Sequence, residues 1–248
     1  MTDKTTPPAG LIGADTALFL DFDGTLSPLK DDPDACALPE GGAELLTGLS
    51  ERLGGALAMV SGRDARDLTK RTPLGVWRAG NHGGIVLRPG QSEPDEVPEA
   101  PEALTLAARR VAGSHPGVFV EEKAAVLAVH TRACPECEPD VLATLRAALG
   151  GVPGYKLQHG KRIVELKPEG VDKGVVIGRL CEDVPFAGRT PVFVGDDTTD
   201  EDGFAAVAGL GGHAVKVGDG DTSARYRLAD PDAVWAWLRA AHDDIGRR

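Results

Sequence analysis

The chain has 248 residues, 42% hydrophobic and 26% charged, a globular composition long enough to bury a core. Its 38 acidic and 27 basic residues leave a net charge of −11, and aromatics make up 4%. The acidity argues against binding a phosphate backbone, and the scarcity of aromatics argues against base-stacking platforms, so nucleic acid is not an expected partner. No stretch approaches the roughly 18 apolar residues of a membrane span, and the polar first ten residues lack the apolar core of a signal peptide. The expectation is a cytoplasmic monomer away from membranes, with its four cysteines as reduced thiols.

Short apolar runs come first in chain order. Residues 17–20 form one, ending at Asp21. Residues 57–60 form a second, ending at Ser61-Gly62-Arg63, and residues 76–79 a third, ending at Gly80-Asn81-His82. Two more lie near the end: 191–194, followed by Gly195-Asp196-Asp197, and 214–217. Runs of this length bounded by Asp, Ser and Gly read as buried parallel strands. Helical spacing over 42–53, 64–70 and 233–241, with a helix opening at Lys173, supplies the crossovers, which predicts a doubly wound α/β sheet. Ligands in such sheets bind beyond the carboxyl ends of the strands, so Asp21, Asp23, Ser61, Asn81 and Asp196 are expected on one rim.

The middle of the chain follows another pattern. Residues 91–101 hold three prolines and four acids and read as a linker. Helix (102–111), strand (118–123), strand (125–132), helix (141–149), strand (155–158) and strand (161–166) follow, an αββαββ order of antiparallel character. We read residues 97–167 as a second domain inserted into a core built from 1–96 and 168–248. The two crossings, 91–101 and 167–171, are its hinge candidates.

Chemistry is concentrated after the first and fourth runs. In Asp21-Phe22-Asp23-Gly24-Thr25 two carboxylates stand two residues apart, in a turn that Gly24 permits. Acids this close repel each other, so a cation or basic side chains must keep them ionised, and one can serve as nucleophile while the other moves protons. Residues 195–202 hold five acids in eight positions; on a surface loop they would be plain solvation, but after a buried strand they call for a cation, and hard oxygen donors favour Mg²⁺. Ser61 and Lys173, each uninformative alone, add a hydroxyl and an ammonium for a phosphoryl group.

Taken in this order, the four segments resemble the signatures of the haloacid-dehalogenase-type phosphatases. The resemblance implies an aspartyl-phosphate mechanism. Asp21 would be the nucleophile, Asp23 the acid and base, and Ser61 and Lys173 the phosphoryl contacts. Mg²⁺ would sit on Asp21, the Asp23 carbonyl and Asp196, with Thr25, Asp197 and Asp200 behind them.

Side-chain alternation in the middle domain places Glu121 with Lys123, His130 with Arg132, and Lys161 with Glu165 on one face, opposite Val118, Val120, Val164 and Leu166. A charged face suits a polyhydroxylated ligand, and it equally suits water. Glu121-x-Lys123, His130-Thr131-Arg132 and the run from Gly160 through Lys161 and Glu165 to Pro168 resemble the cap of the trehalose-6-phosphate phosphatase family, over nearly the whole chain. That resemblance implies a small-molecule sugar phosphate as substrate, bound by Glu121, Lys123, Arg132, Lys161 and Glu165, with Arg63, Asn81 and His82 as further substrate contacts. Sucrose 6-phosphate and phosphoglycerate glycosides are the neighbouring substrates. A receiver-like signalling module is the alternative from another class, but it needs neither the inserted domain nor an acid two residues after the phospho-accepting Asp. Cys134-Pro135-Glu136-Cys137 reads as a cap loop, since a second cysteine pair at zinc-site spacing does not accompany it.

Overall fold

The computed structural model of the chain describes residues 5–160 and 162–247. It divides into two compact units, one running to Pro94 and resuming at Asp172, the other Asp95–Val171.

The discontinuous unit is built on β1 (Thr16–Leu20), α1 (Gly42–Arg52), β2 (Leu57–Val60), α2 (Ala65–Arg71), β3 (Trp77–Gly80) and β4 (Ile85–Leu87). The other unit contributes α3 (Glu102–Ser114), β5 (Phe119–Lys123), β6 (Val126–His130), α4 (Glu138–Leu149), β7 (Tyr155–Gly160) and β8 (Ile163–Pro168). The chain closes with α5 (Lys173–Glu182), β9 (Thr190–Gly195), α6 (Glu201–Gly209), β10 (His213–Val217), β11 (Tyr226–Leu228) and α7 (Pro231–Ile245).

The first sheet has the order β11-β10-β9-β1-β2-β3-β4. Every pairing in it is parallel except the β3–β4 edge, where Ala79 faces Val86. Every residue of β1 and β2 is buried, as a central parallel strand covered on both faces requires. α1 turns Leu46 and Leu49 inward, and α7 turns Val234, Trp235 and Leu238 inward. Both join the core with Phe19, Phe22 and Phe193. The Asp230 carboxylate accepts from the Ala233 N–H at the start of α7 (2.8 Å), and Pro231 occupies the first helical turn, where a missing N–H costs nothing.

The second sheet is antiparallel, in the order β5-β6-β8-β7. Leu127, Val129, Val164 and Leu166 pack under Leu104, Val111, Val141 and Leu145 of α3 and α4. One row across the sheet is therefore Glu121, Ala128, Glu165 and Gln158, on the face the two helices do not take. An α/β core with an inserted α+β cap is the architecture expected from the sequence.

Two expectations need correction. β6 ends at His130, so Arg132 stands in the following turn, exposed, and the alternation argument does not reach it. Cys134 and Cys137 are joined in a disulfide and are not free thiols; the turn they span brings their Cα atoms to 5.5 Å, inside disulfide range. Cys36 and Cys181 are free. Among the described residues no helix is long and apolar enough to cross a membrane.

Candidate active site

The carboxyl end of β1 sets the site. The Asp21 N–H donates to the Val194 carbonyl (3.0 Å), so the β1–β9 pairing holds the backbone of Asp21 just past the strand. The chain then reverses: Leu26 and Ser27 N–H both donate to the Phe22 carbonyl (2.9 Å each), and Phe22 is completely buried. Gly24 has φ +76, the left-handed region that glycine enters at least cost. A Cβ built there would lie 2.1 Å from Asp196 Oδ2. Gly24→Ala is therefore expected to displace the Asp196 loop and lower activity by at least about tenfold, the cost of misplacing a reacting group by an ångström or so. Wild-type turnover from that variant would contradict the close approach.

Lys173 opens α5 directly after Asp172, whose carboxylate caps the helix by accepting from the Val175 N–H (2.9 Å). The cap fixes where the ammonium points. Lys173 Nζ donates to Asp21 Oδ1 (2.8 Å) and to Asp200 Oδ1 (2.6 Å), and all three side chains are buried. Asp200 Oδ2 accepts from the N–H groups of Asp196 and Asp197 (2.9 Å each), which ties the acidic loop after β9 to α5. Asp197 is exposed, and its side chain accepts from the Thr198 N–H. Thr25 Oγ1 donates to Asp196 Oδ1 (3.3 Å).

Electrostatics follow from this burial. Lys173 is buried, which alone would discharge it; the Asp200 and Asp21 carboxylates overcome that and hold it firmly protonated. Asp21 lies well above the usual carboxylate range, mainly because it is buried, with Lys173 opposing and Asp200 and Asp196 adding repulsion. Asp196 is pushed up to about 6, again by burial first and by Asp200 second. One ammonium thus serves three carboxylates, and the cluster is short of positive charge.

Oxygens of Asp21, Asp196 and Asp200 lie within 4.8 Å of one another. Both oxygens of Asp200 are taken by Lys173 and backbone N–H groups, so Asp21 and Asp196 are the donors left for an ion. Two hard carboxylates and unmet negative charge fit Mg²⁺, which is commonly bound through one or two carboxylates and retained waters.

Asp23 faces α2. Arg63 donates Nε to Asp23 Oδ2 (2.7 Å) and Nη2 to Oδ1 (2.6 Å), a two-pronged ion pair, with the Phe22 ring 5.4 Å from the guanidinium carbon. Ser61 follows β2, one strand over from β1, with its hydroxyl accepting from the Arg63 N–H (3.1 Å). Asn81 is buried, and its side-chain oxygen accepts from the Ala65 N–H at the start of α2 (3.0 Å). That bond ties the Asn81 loop to the start of α2. His82, with φ +56, is also buried; a Cβ on Gly62 would lie 2.7 Å from its ring, so the two loops touch.

In the cap, Glu121 Oε2 pairs with Lys123 (3.1 Å) and with His130 Nε2 (3.0 Å), while Glu165 is buried. Arg132 stands apart in its turn, and Lys161 lies outside the described residues.

Lys216 of β10 was missed in sequence. It is buried, and its ammonium donates to the carbonyls of Asp196 and Val217, holding the acidic loop from behind. Its signal was a lone cation inside the apolar run 214–217.

Comparison with known proteins bears on the same segments. The trehalose-phosphatase family model matches residues 19–232, from β1 into α7. The trehalose-6-phosphate phosphatase of Escherichia coli (strain K12) is 40% identical over 96% of this chain and 90% of its own. The trehalose-phosphate phosphatase of Mycolicibacterium paratuberculosis is 39% identical over 96% of this chain and 65% of its own. Among solved structures, the C-terminal domain of Candida albicans trehalose-6-phosphate phosphatase superposes with a TM-score of 0.79 at 21% identity, covering 97% of this chain and 98% of that one. A haloacid dehalogenase-like hydrolase from Bacteroides thetaiotaomicron does so at 0.65 and 17%, covering 94% and 98%. Those two likenesses concern the fold. The matched span takes in the Asp21 turn, the Lys173 cap and the acidic loop together, and on that span the chain belongs to the trehalose-phosphatase family.

Proposed function

We propose that the chain is a Mg²⁺-dependent phosphatase that converts trehalose 6-phosphate to trehalose and phosphate, in trehalose biosynthesis. The observation that carries this is the contact of Lys173 with Asp21, in a buried cluster closed by Asp196 and Asp200. Asp21 attacks phosphorus in line, and Asp23 gives a proton to the departing sugar oxygen. Asp23, now a carboxylate, takes a proton from the water that cleaves the aspartyl phosphate, and the Asp21 carboxylate is restored. Lys173 and the hydroxyl and N–H groups at Ser61 hold phosphoryl oxygens in place while charge moves across them. Mg²⁺, on Asp21, the Asp23 carbonyl and Asp196, supplies further neutralisation of that charge.

The cap face with Glu121, Lys123 and Glu165 is assigned to the glucose hydroxyls, together with Arg132 and Lys161. Phosphate release across a panel of sugar phosphates, with and without Mg²⁺, tests the function. Trehalose 6-phosphate is expected to be turned over at least about tenfold more efficiently than sucrose 6-phosphate, since a site built around hydroxyls rejects a misplaced one strongly. Equal turnover of both, or no turnover of either, would overturn the substrate. Glu165→Ala should reduce sugar-phosphate turnover more than turnover of a small aryl phosphate; equal losses would remove the cap from substrate recognition.

A pH effect follows from Asp196. Its pKa in the folded chain, about 6, lies above the ordinary 3.8, so between those values the folded state binds more protons than the unfolded state. Stability of the metal-free chain should fall as pH rises from about 4 to 6, by up to about 3 kcal/mol. Saturating Mg²⁺ should abolish most of that loss. Calorimetry at stepped pH, with chelator and with Mg²⁺, checks it; two parallel profiles would count against the ion site.

A further inference from the structure

Arg63 holds both oxygens of Asp23, but Asp23 does not hold all of Arg63. On its other side Nη1 donates to Asp67 Oδ2 (2.8 Å) and Nη2 to the Pro33 carbonyl (2.8 Å). Asp67 lies inside α2, whereas Arg63 precedes the helix and its Asp64 cap, so this ion pair ties the incoming loop to the helix. Asp67 is itself clamped by Arg71, one turn on within α2, through Nε to Oδ2 (2.9 Å) and Nη2 to Oδ1 (3.0 Å). Arg71 then reaches the loop after β1, donating to the carbonyls of Cys36 (2.7 Å) and Asp34 (3.0 Å) and to the Asp34 carboxylate (2.9 Å). Charges alternate along the whole line: Asp23, Arg63, Asp67, Arg71, Asp34.

A flexible arginine with one partner would follow that partner. Here Arg63 keeps its Asp67 and Pro33 contacts when Asp23 lets go of one, as it must when an Asp23 oxygen takes or gives a proton. Helix α2 spans only 65–71, too short to be rigid alone, and Arg71 pins its far end to the Asp34–Cys36 segment. The geometry points to Asp67 and Arg71 as positioning residues for the proton-transfer step: they hold Arg63, and Arg63 sets the orientation of Asp23. The inference rests on Asp23 being the acid and base proposed above.

The test exploits the leaving group. A sugar alkoxide needs a proton as its bond to phosphorus breaks, whereas p-nitrophenolate departs without one. The ratio of kcat/KM for trehalose 6-phosphate to that for p-nitrophenyl phosphate reports the need, because kcat/KM covers the steps through departure of the leaving group. Asp67→Asn keeps the side-chain shape, and the ratio is expected to fall roughly tenfold, a fraction of a full acid–base contribution. The inhibition constant for trehalose should not change. Arg63→Lys should lower the same ratio, and adding Asp67→Asn to it should cause no further fall, because Asp67 acts through Arg63. A ratio within twofold of wild type in the Asp67→Asn protein, or losses that multiply in the double variant, would overturn the relay. If Asp67→Asn does not fold, Arg71→Gln, which leaves the Arg63–Asp67 pair in place, is read against the same two outcomes. Failure of the wild-type chain on trehalose 6-phosphate would fault the substrate and not the relay, which is then read on another alkyl phosphate such as glucose 6-phosphate.

Discussion

Replacing Asp21 with Asn is expected to lower phosphate release by a factor on the order of 10⁴ or more, because a carboxamide of the same shape is a poor nucleophile. The fold should survive. Lys173 keeps Asp200 as a partner, and one of three crowded carboxylates becomes neutral. Burial already holds Asp21 above the carboxylate range, so a neutral side chain costs the metal-free chain little there. The thermal midpoint without divalent cation should therefore hold or rise while turnover disappears. Phosphate release and calorimetry on the same preparation give both numbers. Turnover within tenfold of wild type would remove Asp21 as the attacking group, whatever its place in the cluster.

Lys173→Met should have the largest effect on stability. The ammonium is the cation that Asp21 and Asp200 share, and all three groups are buried. Removing one member of a buried charge set leaves the others uncompensated, at a cost of about 3 to 5 kcal/mol. For a chain of this size that lowers the melting midpoint by roughly 10 °C. The loss should shrink as pH is lowered, because without Lys173 the carboxyl of Asp21 gains a proton more readily in the folded state than in the unfolded one. Turnover should fall by about 10² or more, since an electrostatic contact to the phosphoryl group goes with it. A variant as stable as wild type at neutral pH would mean the acids find another cation, and the charge balance drawn for the cluster would be wrong.

Strands whose residues alternate with nothing but apolar neighbours, and which stop at Asp, Ser or Gly, were legible because burial on both faces leaves no other composition. The runs 17–20, 57–60 and 191–194 in β1, β2 and β9 are of this kind, and 214–217 in β10 is so but for Lys216. β4 and β11 have three residues each and take their form from a neighbouring strand, so no local pattern announces them. α6 was hidden because its first turn is made from the acids of the loop after β9. The Asp21, Lys173 and Asp196 segments stood out because carboxylates and an ammonium directly after buried strands or at a helix start need a reason. The turn at Arg132 was misread as strand because alternation was carried two residues past the end of β6. The bond from the Ala65 N–H to Asn81 was not legible either, because an amide that satisfies a helix N–H and one that meets a substrate look alike in a sequence. The Arg63–Asp67–Arg71 line was invisible in part because its outer contacts return to residues 33–36, far from α2 in the chain.

The sheet order has a consequence for the making of the protein. β1 leads directly into Asp21 and lies at the sheet's centre, yet its two neighbours are supplied at very different times: β2 follows after one helix, whereas Thr16 must wait for Thr190. Between them a ribosome delivers the whole cap, a unit with its own apolar interior. The nascent core therefore spends the length of the cap's synthesis with one edge of its central, fully buried strand open, a template for pairing with other chains. Long-range closure of this sort is slow. A cap that folds promptly shortens the tether that β9 must search across, so changes in the cap can reduce the yield of active protein without touching a single catalytic group.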